Sequence, residues 1–192
     1  LESNVPPITI ELVALDWKWL FIYPDAGIAT VNYVEFPEDT PIEFKITSDA
    51  PMNSFWIPQL AGQIYAMAGM STKLHVIADE PGSYRGLSSN FSGEGFSGMK
   101  FTAKAVSREE YDGWIYNART LPINLSRDAY ETLAKPSKNE SERTYGSVAL
   151  GLYDAIIAKY MLSKNDDTMD AMPMHHTPSP VIDPSSSPIM QM

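Results

Sequence analysis

The chain has 192 residues, enough for one sizeable core, and its 44% hydrophobic and 20% charged residues are ordinary for a globular protein. A net charge of −10 with no basic stripe argues against nucleic acid as a partner; the acidic surface serves solubility and would steer a basic partner such as a small electron carrier. There is no cysteine, which excludes disulfides, thiolate metal ligands and a thiol nucleophile together.

The first hundred residues read as strands. From Ile8 to Tyr23, Ile8, Ile10, Leu12 and Ala14 share one face, and an aromatic block, Trp17-Lys-Trp-Leu-Phe-Ile-Tyr23, follows. Pro24-Asp-Ala-Gly27 is a turn, Ile28 to Phe36 a second run, and Pro37-Glu-Asp another turn. Between Pro41 and Ser48, Ile42, Phe44 and Ile46 alternate with Glu43 and Lys45. Short runs at 54–57, 63–67, 72–78, 83–88 and 99–106 complete the series, with Gly or Pro in nearly every gap. Strands of this length and spacing predict an antiparallel sandwich or barrel, not alternating strand–helix units.

The pattern changes at Val106. Ser107-Arg-Glu-Glu110 fits a capping box, and Tyr111, Trp114, Ile115 and Ala118 behind it have helical spacing that Pro122 ends. A second helix is predicted over Arg127 to Ala134, stopped by Pro136, and a polar loop follows from Ser137 to Arg143. From Val148 to Leu162 a third helix is apolar over so wide an arc that it needs partners on more than one side, its own sandwich or another subunit. From Asn165 the chain is Asp, Met, Pro, Ser and His, with too little apolar volume to pack, and is expected to be disordered. The organisation expected is therefore 1–106, a β domain; 107–164, a helical aromatic-rich extension; and 165–192, a tail. No apolar run nears the roughly 20 residues that span a bilayer. The chain opens with Leu1 and has no basic-then-apolar leader, so a processed protein or soluble piece is expected, with any anchor outside it.

Several blocks recur in a known order. They are Asp16-Trp-Lys-Trp19; Met52-Asn-Ser-Phe-Trp-Ile-Pro58; Gln63 to Met70; Pro81-Gly-Ser-Tyr-Arg-Gly86; and Ser88-Ser-Asn-Phe-Ser-Gly93 with Phe96-Ser-Gly-Met99. Together they resemble the extracytoplasmic domain of subunit II in the haem–copper respiratory oxidases. The extension is similar to the aromatic-rich region of the quinol oxidase branch. The resemblance implies a mainly β fold, a cupredoxin-like Greek-key sandwich or barrel with a C-terminal α-helical extension. It also implies that the same loops hold a dinuclear copper centre in the cytochrome c oxidase branch, with ligands from a His block and a Cys-x-Glu-x-Cys-x-x-x-His-x-x-Met loop. Carried over by position, the ligand sites here are Asn53, Ser88, Asn90, Ser92 and Phe96, with Met99 alone retained.

Hydroxyls, amides and a phenyl ring supply none of the soft donors such a centre requires, and one thioether does not hold copper alone. The same side chains suit ordinary loop packing. The expectation is a metal-free, non-catalytic subunit of a membrane quinol oxidase on the extracytoplasmic (periplasmic) face, anchored by segments outside this chain. Haem and copper would reside in the catalytic subunit I, which with other membrane subunits is the implied partner; quinol, ubiquinol or menaquinol, would be met at the level of the complex. The competing reading is a free-standing copper-binding or copper-delivery module, acting through Met169, Met172, Met174, His175 and His176 in the tail. His75, alternating with Leu74 and Val76, reads as a surface residue, and Trp17 and Trp19 as packing residues without a metal behind them.

Overall fold

A computed structural model describes residues 5–166. The tail residues from Met169 to His176 therefore lie outside the described residues. Two sheets face each other. The larger has the strand order β12-β3-β2-β1-β5-β8, the smaller β4-β10-β9-β6-β7. Their strands are β1 (Ile8–Leu15), β2 (Lys18–Tyr23), β3 (Ile28–Val31), β4 (Tyr33–Pro37), β5 (Ile42–Ser48), β6 (Asn53–Trp56), β7 (Ile64–Ala66), β8 (Thr72–Val76), β9 (Gly82–Ser88) and β10 (Lys100–Val106), with β12 (Arg143–Tyr145) from the extension. The sandwich is mixed, not purely antiparallel: β1 pairs parallel with β5, and β10 with β4.

Two runs that read as single strands are broken. The run from Ile8 to Tyr23 folds back at Asp16–Trp17, so that Leu15 pairs with Lys18. The run from Ile28 to Phe36 breaks at Asn32, which has a φ of 55°, a backbone position asparagine tolerates better than most residues. Its amide accepts from the Trp19 N–H at 2.9 Å and donates to the Glu140 carbonyl at 2.9 Å. One residue thus sends β3 and β4 to different sheets.

Between the sheets lies an aromatic core: Trp19, Phe21, Phe44, Phe55 and Phe101 with Ile10, Leu12 and Ala14. Phe55 and Phe101 stack at 5.1 Å and 8°. Gly86 makes room for Phe101, whose Cζ would be 1.9 Å from a Cβ added there. A second core covers the outer face of the larger sheet, where Val13, Leu15, Leu20, Ile22, Ala29 and Val31 meet the extension. Hence every residue of β2 is buried, its alternate side chains facing two different layers.

The extension contains α1 (Arg108–Arg119), β11 (Asn124–Leu125), α2 (Arg127–Leu133), β13 (Ser147–Val148) and α3 (Leu152–Asp166). The capping box at Ser107 and Glu110 is present as expected. Ser126 caps α2 by accepting from the Ala129 N–H. The last helix starts later than its periodicity suggests, because Ser147–Val148 pairs with β11 and Gly151, at a φ of 68°, intervenes. Leu152, Tyr153 and Ile156 of α3 pack on the chain's own sheet. Among the described residues no helix is long and apolar enough to cross a membrane.

Candidate functional site

One end of the sandwich gathers the residues that the sequence resemblance set against copper ligands. Strands β1 and β5 run side by side and end there together, at Leu15 and Ser48. Beyond β5 the chain turns through Asp49 to Met52 and enters β6 at Asn53. Strand β9 ends at Ser88, whose partner across the ladder is Phe55. The loop after it, with a 3-10 turn at Phe96–Gly98, returns to β10.

Asn53 and Ser88 are buried, and their side chains meet: Ser88 Oγ donates to Asn53 Oδ1 at 3.0 Å. The Asn53 amide donates to the Pro51 carbonyl at 2.8 Å, and the Asn90 amide to the Met52 carbonyl at 2.9 Å. The Ser88 N–H donates to the Met99 carbonyl at 3.2 Å, and Met99 itself is buried. Polar side chains thus cross-link the two loops directly. Ser92 joins differently: its carbonyl accepts from Trp17 Nε1 at 3.0 Å, while its buried hydroxyl has no hydrogen-bond partner among the described residues. Phe96 packs its ring on Phe91 at 5.6 Å. The loops therefore bring Asn53, Ser88, Asn90 and Met99 together, and hold Ser92 and Phe96 by backbone and ring contacts.

The aromatic strand residues separate. Trp19 is in the core, edge-on to Phe55 and Phe101. Trp17 lies over the loop: a Cβ added at Gly95 would sit 2.3 Å from its ring. His75 is on the surface beside Glu43, 3.2 Å away. Among the described residues no three His, Cys, Asp or Glu side chains converge as metal ligands.

Three residues that sequence reasoning passed over organise this end. Asp49, 2% exposed at its side chain, accepts from Tyr130 Oη at 2.6 Å, Tyr160 Oη at 2.5 Å and Lys159 Nζ at 2.8 Å. Burial, reinforced by the hydrogen bond to Asp49 and by its negative charge, drives both phenols well above the ordinary tyrosine range. Lys18 is buried in β2 and donates to the carbonyls of Asp16 and Lys135 and to Ser137 Oγ. Burial lowers its pKa, an effect opposed by Glu140 and Asp16. Lys138 pairs with Glu94 at 2.6 Å and lies 5.8 Å from the Trp17 ring centroid. A lysine inside an aromatic strand was a visible signal of buried acceptors; an aspartate at a strand end looks like any turn residue.

The chain is 54% identical over 160 residues to cytochrome bo(3) ubiquinol oxidase subunit 2 of Pseudomonas putida, covering 83% of this chain and 51% of that protein. The chain belongs to the subunit II family of the quinol oxidases. Ubiquinol oxidase subunit 2 of Acetobacter aceti is 52% identical over 159 residues, 83% of this chain and 52% of that protein. Residues 26–106 match the family described as the periplasmic domain of cytochrome c oxidase subunit II, and residues 119–164 the COX aromatic rich motif. The periplasmic domain of subunit II of cytochrome oxidase from Bradyrhizobium japonicum superposes with a TM-score of 0.56 at 20% identity, over 61% of this chain and 94% of that one. The fold is cupredoxin-like, as the resemblance implied. The subunit II chain spans about half the length of the curated relatives it matches. Copper does not fit the residues present: the cluster offers hydroxyls, amides, a phenyl ring and one buried thioether, and none of the thiolates or imidazoles that hold a copper pair.

Proposed function

We propose that this chain is the extracytoplasmic part of a metal-free subunit II in a membrane-bound, proton-pumping quinol:oxygen oxidoreductase, where it caps the catalytic subunit on the outer face. The observation that carries this is the hydrogen-bonded cluster of Asn53, Ser88 and Asn90, residues that the family resemblance sets against copper ligands. A relay from a soluble cytochrome has no acceptor here, which suits a complex fed by quinol within the membrane. Haem and copper then belong to the partner catalytic subunit, and this chain supplies no catalytic residue. Beside the cluster, Met52, Met70 and Phe91 are exposed, Phe91 at 76%. Exposed apolar residues grouped at one end suit a protein interface, and this is the end we set against the catalytic subunit.

The test uses the full-length protein purified with its native complex. Oxygen consumption is expected with ubiquinol or menaquinol, and none with reduced cytochrome c. The isolated 192-residue chain, loaded with copper and then washed with a chelator, is expected to retain no purple or blue centre. Sustained oxidation of cytochrome c, or a tightly held copper chromophore in the chain, overturns the proposal.

A further inference from the structure

The two loops are gripped from outside as well as tied to each other. On one side, α2 and α3 converge on Asp49: two phenol hydroxyls and one ammonium donate to a carboxylate four residues before Asn53. Helix α3 also closes over the neighbouring loop, where a Cβ added at Gly69 would lie 3.0 Å from Tyr160 Cβ. On the other side, the segment after α2 reaches the second loop. The Ser137 N–H donates to the Asp16 carbonyl at 3.0 Å, beside Trp17. Lys138 binds Glu94 and covers the Trp17 ring, whose N–H holds Ser92. Asn139 Oδ1 lies 2.5 Å from where a Gly98 Cβ would be.

We infer that the aromatic-rich extension is the staple of these loops, holding 49–53 and 88–99 to the sandwich and so performing the mechanical task that a metal centre performs where one is bound. A metal cross-links loops because its ligands come from both and its bonds resist separation. Here the same result needs two independent anchors. A buried carboxylate left without its donors is costly, so the Asp49 anchor is strong. The Lys138 anchor is exposed, and contributes chiefly by seating Trp17 on Gly93 and Gly95. The comparison with a metal rests on the proposed correspondence of Asn53 and Ser88–Met99 to copper ligands; the bracing itself does not.

The experiment is amide hydrogen exchange, read by mass spectrometry on the 192-residue chain. The double variant Tyr130→Phe/Tyr160→Phe removes two donors to Asp49 while keeping both rings, and Lys138→Ala loosens the second anchor. Each is expected to speed exchange at residues 50–54 or 89–98, respectively, by about tenfold, with β1 and β10 unchanged. Acceleration confined to α2 and α3 overturns the inference, because the extension would then merely adhere. Uniform acceleration through all strands overturns it too, as the mark of lost global stability. A second arm adds Asn53→His, Ser88→Cys, Asn90→Glu, Ser92→Cys and Phe96→His to the loosened variants. If copper binds, it is expected to restore slow exchange in both loops; bound copper without that recovery counts against the shared task. If no copper binds, the loop correspondence fails and with it the strongest support for the proposed function, while the first arm still decides the bracing.

Discussion

Asp49 and Glu11 are both carboxylates on the sheet that the extension covers, and their surroundings give them opposite effects on stability. Asp49 is almost fully buried but surrounded by donors, so removing it takes the acceptor from the buried Tyr130 hydroxyl and from Tyr160, while Lys159, 52% exposed, turns to water. Asp49→Ala is expected to lower unfolding free energy by about 2 kcal/mol in a denaturant titration; a loss below about 0.5 kcal/mol would show that water replaces the carboxylate. Glu11 has no such donors among the described residues. Burial raises its pKa, the nearby Asp154 raises it further, and Lys45 only partly opposes them. Folding therefore favours the protonated form. The resulting penalty is complete above the folded pKa and fades as pH falls towards the unfolded value. Glu11→Gln should accordingly raise Tm by about 1–3 °C at pH 7, with no gain left near pH 4. An equal gain at both pH values would trace the effect to something other than charge. Of these residues, the sequence made the cluster positions legible through their blocks, but not Asp49, whose partners lie 81 and more positions away.

Among the elements, legibility followed burial pattern and length. The capped helix α1 and the alternating strand β5 carry their periodicity openly. The breaks at Asp16 and Asn32 do not, because apolar character continues across both while the backbone changes partner. The strands β11, β12 and β13 have two or three residues each, too few for any period to register. They exist because neighbouring backbone groups need partners: β12 completes the edge of the larger sheet beside β3. This makes the extension a third layer of the fold. Ending the chain after Val106 would uncover Val13, Leu15, Leu20, Ile22, Ala29 and Val31, an apolar sheet face. The truncated protein is expected to bind a hydrophobic dye and to aggregate, where the intact chain stays monomeric and dye-free in sedimentation. A soluble, dye-free truncation would mean that this face closes without the extension.

At the scale of the whole molecule, the three layers share their central sheet, and that predicts how the protein unfolds. Trp19 reports the core between the sheets, and Trp114, 5.4 Å from Tyr23 by ring centroid and 6.0 Å from Tyr33, reports the seat of α1. If the extension were an appendage, the two tryptophans would respond at different temperatures. The contacts argue otherwise. Lys18 belongs to the central strand β2 yet donates to Lys135 and Ser137, and Asn32 links the Trp19 backbone to Glu140. Losing the extension therefore takes acceptors from Lys18 and Asn32 and bares the apolar outer face of the larger sheet, and losing the sandwich removes the surface on which the helices pack. Variants keeping only Trp19 or only Trp114, with the other tryptophans replaced by phenylalanine, should each show one fluorescence transition that coincides with loss of far-ultraviolet circular dichroism in the same variant. A Trp114 transition several degrees below the circular dichroism midpoint would separate the extension as an independent unit, and would place its contacts with β2 among the weaker interactions of the molecule.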